Sequence, residues 1–96
     1  MNFEWDENKN IANIKNHKID FNDVVEMFNG LMLIEPDERL NYGEDRYIGI
    51  GFLKNFIAFV VFIEKIDENS IRIISARKAT KHEAKLYKTE IKNQMG

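Results

Sequence analysis

Hydrophobic and polar positions alternate with two distinct periods along this chain. Phe3 and Trp5 sit on one side of a short two-residue repeat, which predicts a strand over Phe3-Glu4-Trp5. Asp6 follows as a helix N-cap, and Ile11, Ala12 and Ile14 form a narrow apolar stripe, so a helix is expected from Glu7 to about Asn16. Lys15, His17 and Lys18 at its end suit the negative pole of the helix dipole. Asp20 is a second N-cap. Phe21, Val24, Val25 and Phe28 then recur at i, i+3, i+4 and i+7, predicting a short amphipathic helix closed by Gly30.

From Leu31 the period shortens. A strand over Leu31–Glu35 ends at Pro36, and a polar loop runs from Pro36 to Asp45. In the next strand, Arg46 to Phe52, the residues Arg46, Ile48, Ile50 and Phe52 share a face opposite Tyr47, Gly49 and Gly51. The glycines leave that second face bare, ready for close packing. Phe56–Ile63 is apolar on both faces and therefore central. Ser70–Arg77 is the last strand. Thr80 with Glu83 three residues on has capping-box spacing and opens a final helix to about Gln94. Thr80, Ala84, Tyr87, Ile91 and Met95 line one side of it, and Lys81, Lys85, Lys88 and Lys92 another. The order β-α-α-β-β-β-β-α predicts an α+β domain over residues 1–96: a small antiparallel sheet, its strands joined by short turns, with helices from both chain ends able to cover one face.

Composition narrows the function classes. The chain has 96 residues, 44% hydrophobic and 31% charged, and no cysteine, which removes thiolate and disulfide chemistry. No signal peptide or membrane-spanning run is visible, so a soluble cytoplasmic protein with no membrane partner is expected. The net charge of −2 conceals an asymmetry: residues 1–69 hold 7 Lys+Arg against 14 Asp+Glu, and residues 70–96 hold 7 against 2. A basic tail on an acidic body suits an anionic partner. No glycine-rich phosphate loop or metal-ligand spacing occurs, and His17 and His82 stand apart, so neither cofactor nor metal is expected. The Asp37-Glu38 pair reads as solvated loop carboxylates.

The remaining chemistry is cationic. Arg77 and Lys78 end a strand, Arg46 starts another beside Glu44, and Lys15 and His17 end the first helix. Cleavage of RNA by its own 2′-hydroxyl needs such a set: a base, cations for the phosphorane, and an acid for the leaving oxygen. Each residue also has a plainer reading. Arg46 pairs with Glu44 at a surface, His17 caps a helix, and Trp5 belongs to a core.

Phe3-Glu4-Trp5-Asp6, Lys9, Asn13, Lys15-Asn16-His17, Phe21, Asp37, Arg39, Gly43-Glu44-Asp45-Arg46, Ile48, Gly51 and Arg72 to Arg77 through Glu83 and Tyr87 form an ordered set. In that set the chain resembles the BrnT-type toxins of bacterial type II toxin–antitoxin systems. The resemblance implies a RelE-like fold and an endoribonuclease that arrests translation. It also implies a ribbon-helix-helix antitoxin, two copies with two toxins, through which alone operator DNA is bound. Under it, Arg46 and Arg77 are the phosphate and transition-state residues, Glu44 or Lys15 the base and His17 the acid. Lys78, Arg72, Lys81 and Trp5 are RNA contacts. The family often has glycine where Lys18 stands. A non-catalytic toxin-like binding module is the alternative.

Overall fold

The computed structural model describes residues 1–95. Its elements are β1 (Asn2–Glu4), α1 (Glu7–His17), α2 (Phe21–Val24), β2 (Met32–Pro36), β3 (Tyr47–Leu53), β4 (Phe56–Lys65), β5 (Ser70–Lys78) and α3 (Lys81–Met95). The expected α+β order holds. The sheet order is β1-β5-β4-β3-β2. β2 to β5 form the antiparallel meander, with a bulge at Val61/Phe62, whereas β1 joins the edge of β5 in parallel, Phe3 opposite Ile71. No helix among the described residues is long and apolar enough to cross a membrane.

The helices cover both faces of the sheet rather than one. β4 is apolar on both sides, so each side must be buried. Ile19, Phe21, Val24 and Met27 pack with Val60, Phe62, Ile71 and Ile73 on one face. Tyr87 packs with Ile48, Ile50, Ile57, Phe59 and Val61 on the other. α3 therefore covers the second face of β4. Ala84 and Ile91 of its expected stripe join that second cluster; the Met95 side chain lies outside the described residues.

The bare face of β3 is filled from β2. A Cβ on Gly51 would fall 2.8 Å from Met32 Cγ and 3.0 Å from the Leu31 carbonyl oxygen. β3 itself starts at Tyr47, leaving Arg46 just outside it.

α1 reverses the expected polarity. Ile11 is 60% exposed and Ile14 39%, whereas Asn10 and Asn13 are buried. The reason is what α1 lies against: backbone with unpaired donors and acceptors. The Asn13 side-chain amide donates to the Ile19 carbonyl (2.9 Å) and its oxygen accepts from the Ala76 N–H of β5 (3.1 Å). Asn10 accepts from the Phe21 N–H (2.9 Å) and donates to Asp20 (3.1 Å). β1 is only three residues long, so β5 beyond Arg72 has no neighbouring strand on that side, and Asn13 satisfies its edge.

The caps form as read. Asp6 accepts from the Asn8 and Lys9 N–H groups, and Asp20 from that of Asn22. Gly30, in contrast, is extended (φ −107°) and ends a tight 3-10 turn over Val25–Asn29. The left-handed helix terminus belongs instead to Lys18 (φ 61°), after α1.

Candidate functional site

Arg77 sits opposite Phe59 of β4, on the α3 face. Its guanidinium carbon lies 4.0 Å from the Phe59 ring centroid, a cation–π contact. Two parallel hydrogen bonds join it to Glu83, Nη1 to Oε1 at 2.8 Å and Nη2 to Oε2 at 3.0 Å. Glu83 also closes the capping box of α3: Thr80 N–H donates to Glu83 Oε1 (2.9 Å), and Glu83 N–H to Thr80 Oγ1 (3.1 Å). One carboxylate thus starts the helix and orients the arginine. The Arg77 hydrogen bonds hold the Glu83 carboxyl below its ordinary value of 4.5, against the opposing effect of burial and with help from the Thr80 N–H. A third of the Arg77 side chain remains exposed (33%).

The loop after β2 brings a second arginine to the same ring. Asp37 is buried rather than solvated: its side chain is 0% exposed, and its N–H donates to the Arg46 carbonyl at 2.8 Å, closing the loop. It accepts from Arg39 Nε (2.7 Å) and Nη2 (2.8 Å). Those bonds hold the Asp37 carboxyl below its ordinary 3.8 despite desolvation. The Arg39 guanidinium carbon is 5.4 Å from the Phe59 centroid, so Arg39 and Arg77 lie less than about 10 Å apart, on one aromatic ring. Arg39, Asp37 and Glu83 were not among the expected site residues, although all three lie in the segments that carry the resemblance.

The strand register separates Arg46 from Arg77. Tyr47 is opposite Phe62, so Arg46 is level with Ile63 and hence with Arg72, whereas Arg77 is level with Phe59. At about 3.3 Å per residue, four residues of β4 put the two arginines ~13 Å apart along the strands, and β4 lies between them. Arg46 donates to Glu44 (2.9 Å) and lies 4.2 Å from the Tyr42 ring centroid. With Asp37 and Asp45 they line a polar pocket of about 500 Å³ in the loop.

His17 and Lys78 meet on the opposite face. Together with Lys18, Ile19, Asn55 and Phe56 they line a pocket of about 460 Å³ beside the β3–β4 hairpin. Arg77 and Lys78 are consecutive, so this pocket and the Phe59 ring flank the same end of β5. Lys15 is exposed on the last turn of α1, and its carbonyl accepts from Lys18 Nζ at 3.4 Å. Lys81 is exposed at the start of α3. Arg72 is opposite Glu4 at the β1 edge. Trp5 packs against the core, edge to face with Phe21 (centroids 6.0 Å), and its indole N–H donates to Glu7 at 3.3 Å; it is a packing residue here rather than a free stacking surface.

A family model described as "Ribonuclease toxin, BrnT, of type II toxin-antitoxin system" matches residues 5–83. The chain belongs to the BrnT toxin family. Its fold matches the 1.1 Å crystal structure of the Brucella abortus ribonuclease toxin BrnT with a TM-score of 0.69 and 30% sequence identity, covering 84% of this chain and 99% of that one. No curated protein matches. As a BrnT-family ribonuclease toxin of a type II system, the chain has an antitoxin as its partner. The matched span runs from Trp5 to Glu83 and therefore takes in both arginines on Phe59 and both carboxylates that clamp them.

Proposed function

We propose that this BrnT-family chain cleaves RNA without a metal ion, at the end of β5. The 2′-oxygen forms a bond to the adjacent phosphorus while the bond from phosphorus to the 5′-oxygen breaks. The products carry a 2′,3′-cyclic phosphate and a free 5′-hydroxyl. Arg77 carries this reading, because its guanidinium is fixed by Glu83 and Phe59 yet partly open to solvent. A planar fork with its orientation already set stabilises phosphorane charge without reorganisation. Arg39 on the same ring supplies a second positive charge.

His17, beside Lys78 in the pocket on the other side of β5, donates the proton to the leaving oxygen. Histidine is the side chain whose ordinary titration lies nearest neutrality, as proton transfer requires. Lys15, on the last turn of α1 with His17, takes the 2′-proton; Glu44 stays with Arg46 at the far end of the sheet, ~13 Å along the strands from Arg77 and out of reach of the same phosphodiester. Arg46 and Arg72, level with each other at the far end of the sheet, bind flanking phosphates, and Lys78 and Lys81 add to the cationic track. In the cytoplasm this cleavage arrests translation. A ribbon-helix-helix antitoxin neutralises it in a complex of two toxins with two antitoxins, and operator DNA is contacted through the antitoxin.

The test is purified protein with a labelled RNA in EDTA. Cyclic phosphate ends are expected, and Arg77→Ala, checked for folding by circular dichroism, should cleave about 100-fold or more slowly. Intact RNA with folded wild type, or a requirement for added metal, refutes the scheme.

A further inference from the structure

An apolar groove separate from the Phe59 arginines runs between α3 and the start of β2. It measures about 740 Å³, and its floor is Leu31, Phe52, Tyr87 and Ile91. Leu31 is 58% exposed and Phe52 52%. Tyr87 fixes the floor: its hydroxyl donates to the Leu31 carbonyl at 2.9 Å, and Phe52 packs edge to face on its ring at 5.9 Å. Lys88 and Lys92 line the same groove, one helical turn apart.

We propose that this groove is the docking site for an amphipathic, acidic segment of the antitoxin; the inference rests on the toxin–antitoxin reading. Apolar side chains spaced along one face of a helix fill such a groove, and carboxylates beside them meet the lysines. The lysines also discriminate between occupants. A second copy of this chain docked groove to groove about a two-fold axis would bring Lys88 and Lys92 against their own equivalents, a like-charge arrangement. RNA would gain the lysines but bury its phosphates against an apolar floor, at a desolvation cost. An acidic amphipathic segment satisfies floor and rim together.

The position also assigns a division of labour. α3 carries Glu83 at its first turn, on Arg77, and the groove along its later turns. Antitoxin seated in the groove leaves the Arg77 clamp intact beneath it.

The test uses the antitoxin protein of this system, purified and fluorescently labelled, titrated with wild-type toxin, Phe52→Glu and Lys92→Glu. Affinity should fall at least 100-fold for Phe52→Glu and about tenfold for Lys92→Glu, with RNA cleavage by the free toxins unchanged. Leu31→Glu, in the segment before β2, is the second variant should Phe52→Glu fail to fold. Binding within twofold of wild type for both variants overturns the proposal and leaves the ribonuclease reading standing. So does a Phe52→Glu variant that dissociates a toxin homodimer in sedimentation while binding antitoxin normally, which would make the groove a contact between copies. Wild-type toxin that does not bind the antitoxin at all overturns the partner assignment itself.

Discussion

Replacing Asn13 with alanine should destabilise this protein more than replacing either isoleucine of the same helix. The Asn13 side chain is buried and joins three segments: α1, the Ile19 turn and the Ala76 edge of β5. Truncation leaves a buried carbonyl and a buried N–H without partners. Each unsatisfied backbone group costs about 1–3 kcal/mol, and the better helix propensity of alanine returns roughly 0.5 kcal/mol, so the net loss for the two groups is about 1.5–5.5 kcal/mol. Ile11→Ala removes a side chain that is 60% exposed. Its transfer cost is offset by alanine's propensity, and the expected change is within about 0.5 kcal/mol. Urea unfolding followed by circular dichroism measures both. With m near 1–1.5 kcal/mol/M for a domain of this size, the Asn13→Ala midpoint should move by at least about 1 M and the Ile11→Ala midpoint hardly at all. Asn13→Ala should also slow RNA cleavage even where the protein is fully folded, because Asn13 anchors the helix that ends in His17. Refutation would be an Asn13→Ala loss below about 0.5 kcal/mol, or a loss at Ile11 exceeding that at Asn13. Either result would mean that α1 is held by its apolar side chains after all.

Two further outcomes are expected. Lys18 occupies a left-handed conformation (φ 61°) that a side chain disfavours, so Lys18→Gly should raise stability by about 1 kcal/mol in the same denaturation assay. The lowered Glu83 carboxyl makes the Arg77 clamp pH-dependent: its contribution is complete above the unfolded value near 4.5 and disappears as pH falls through the lower folded value. Thermal unfolding from pH 6 to 3 should therefore show wild type losing more stability below about pH 4.5 than Glu83→Gln, and parallel curves would exclude the linkage.

Much of the fold was legible because period and caps agree. Phe56–Ile63 is apolar on both sides and did become the centre of the sheet, and Thr80 and Glu83 do form the reciprocal cap. The same β4 pattern also implied cover on both faces, so a single covered face was the wrong inference from it. The stripe of Ile11 and Ile14 in α1 is a local signal, whereas the burial of Asn13 depends on the bare edge of β5 some 60 residues away and that of Asn10 on the capped start of α2. In the site, Arg77 was visible as a cation at a strand end. The ring that gathers Arg39 beside it was not, since Phe59 looks like any core residue until the loop folds over it. Arg46 looked equivalent to Arg77 because register, which sets them on different rows, is not encoded in either strand alone.

The parallel pairing of β1 with β5 has a consequence for when the toxin comes into being. Asn2–Glu4 has its strand partner in Ser70–Arg72, so the first strand stays unpaired until residues 70–72 have been translated. Contacts so distant in sequence make folding slow and leave it until late. The Arg77 clamp needs Glu83, later still. A ribosome stalled on a message cut anywhere upstream of that codon therefore yields no assembled clamp. The closing of β1 onto β5 and the assembly of the Arg77 clamp thus wait for the same stretch of chain, residues 70–83.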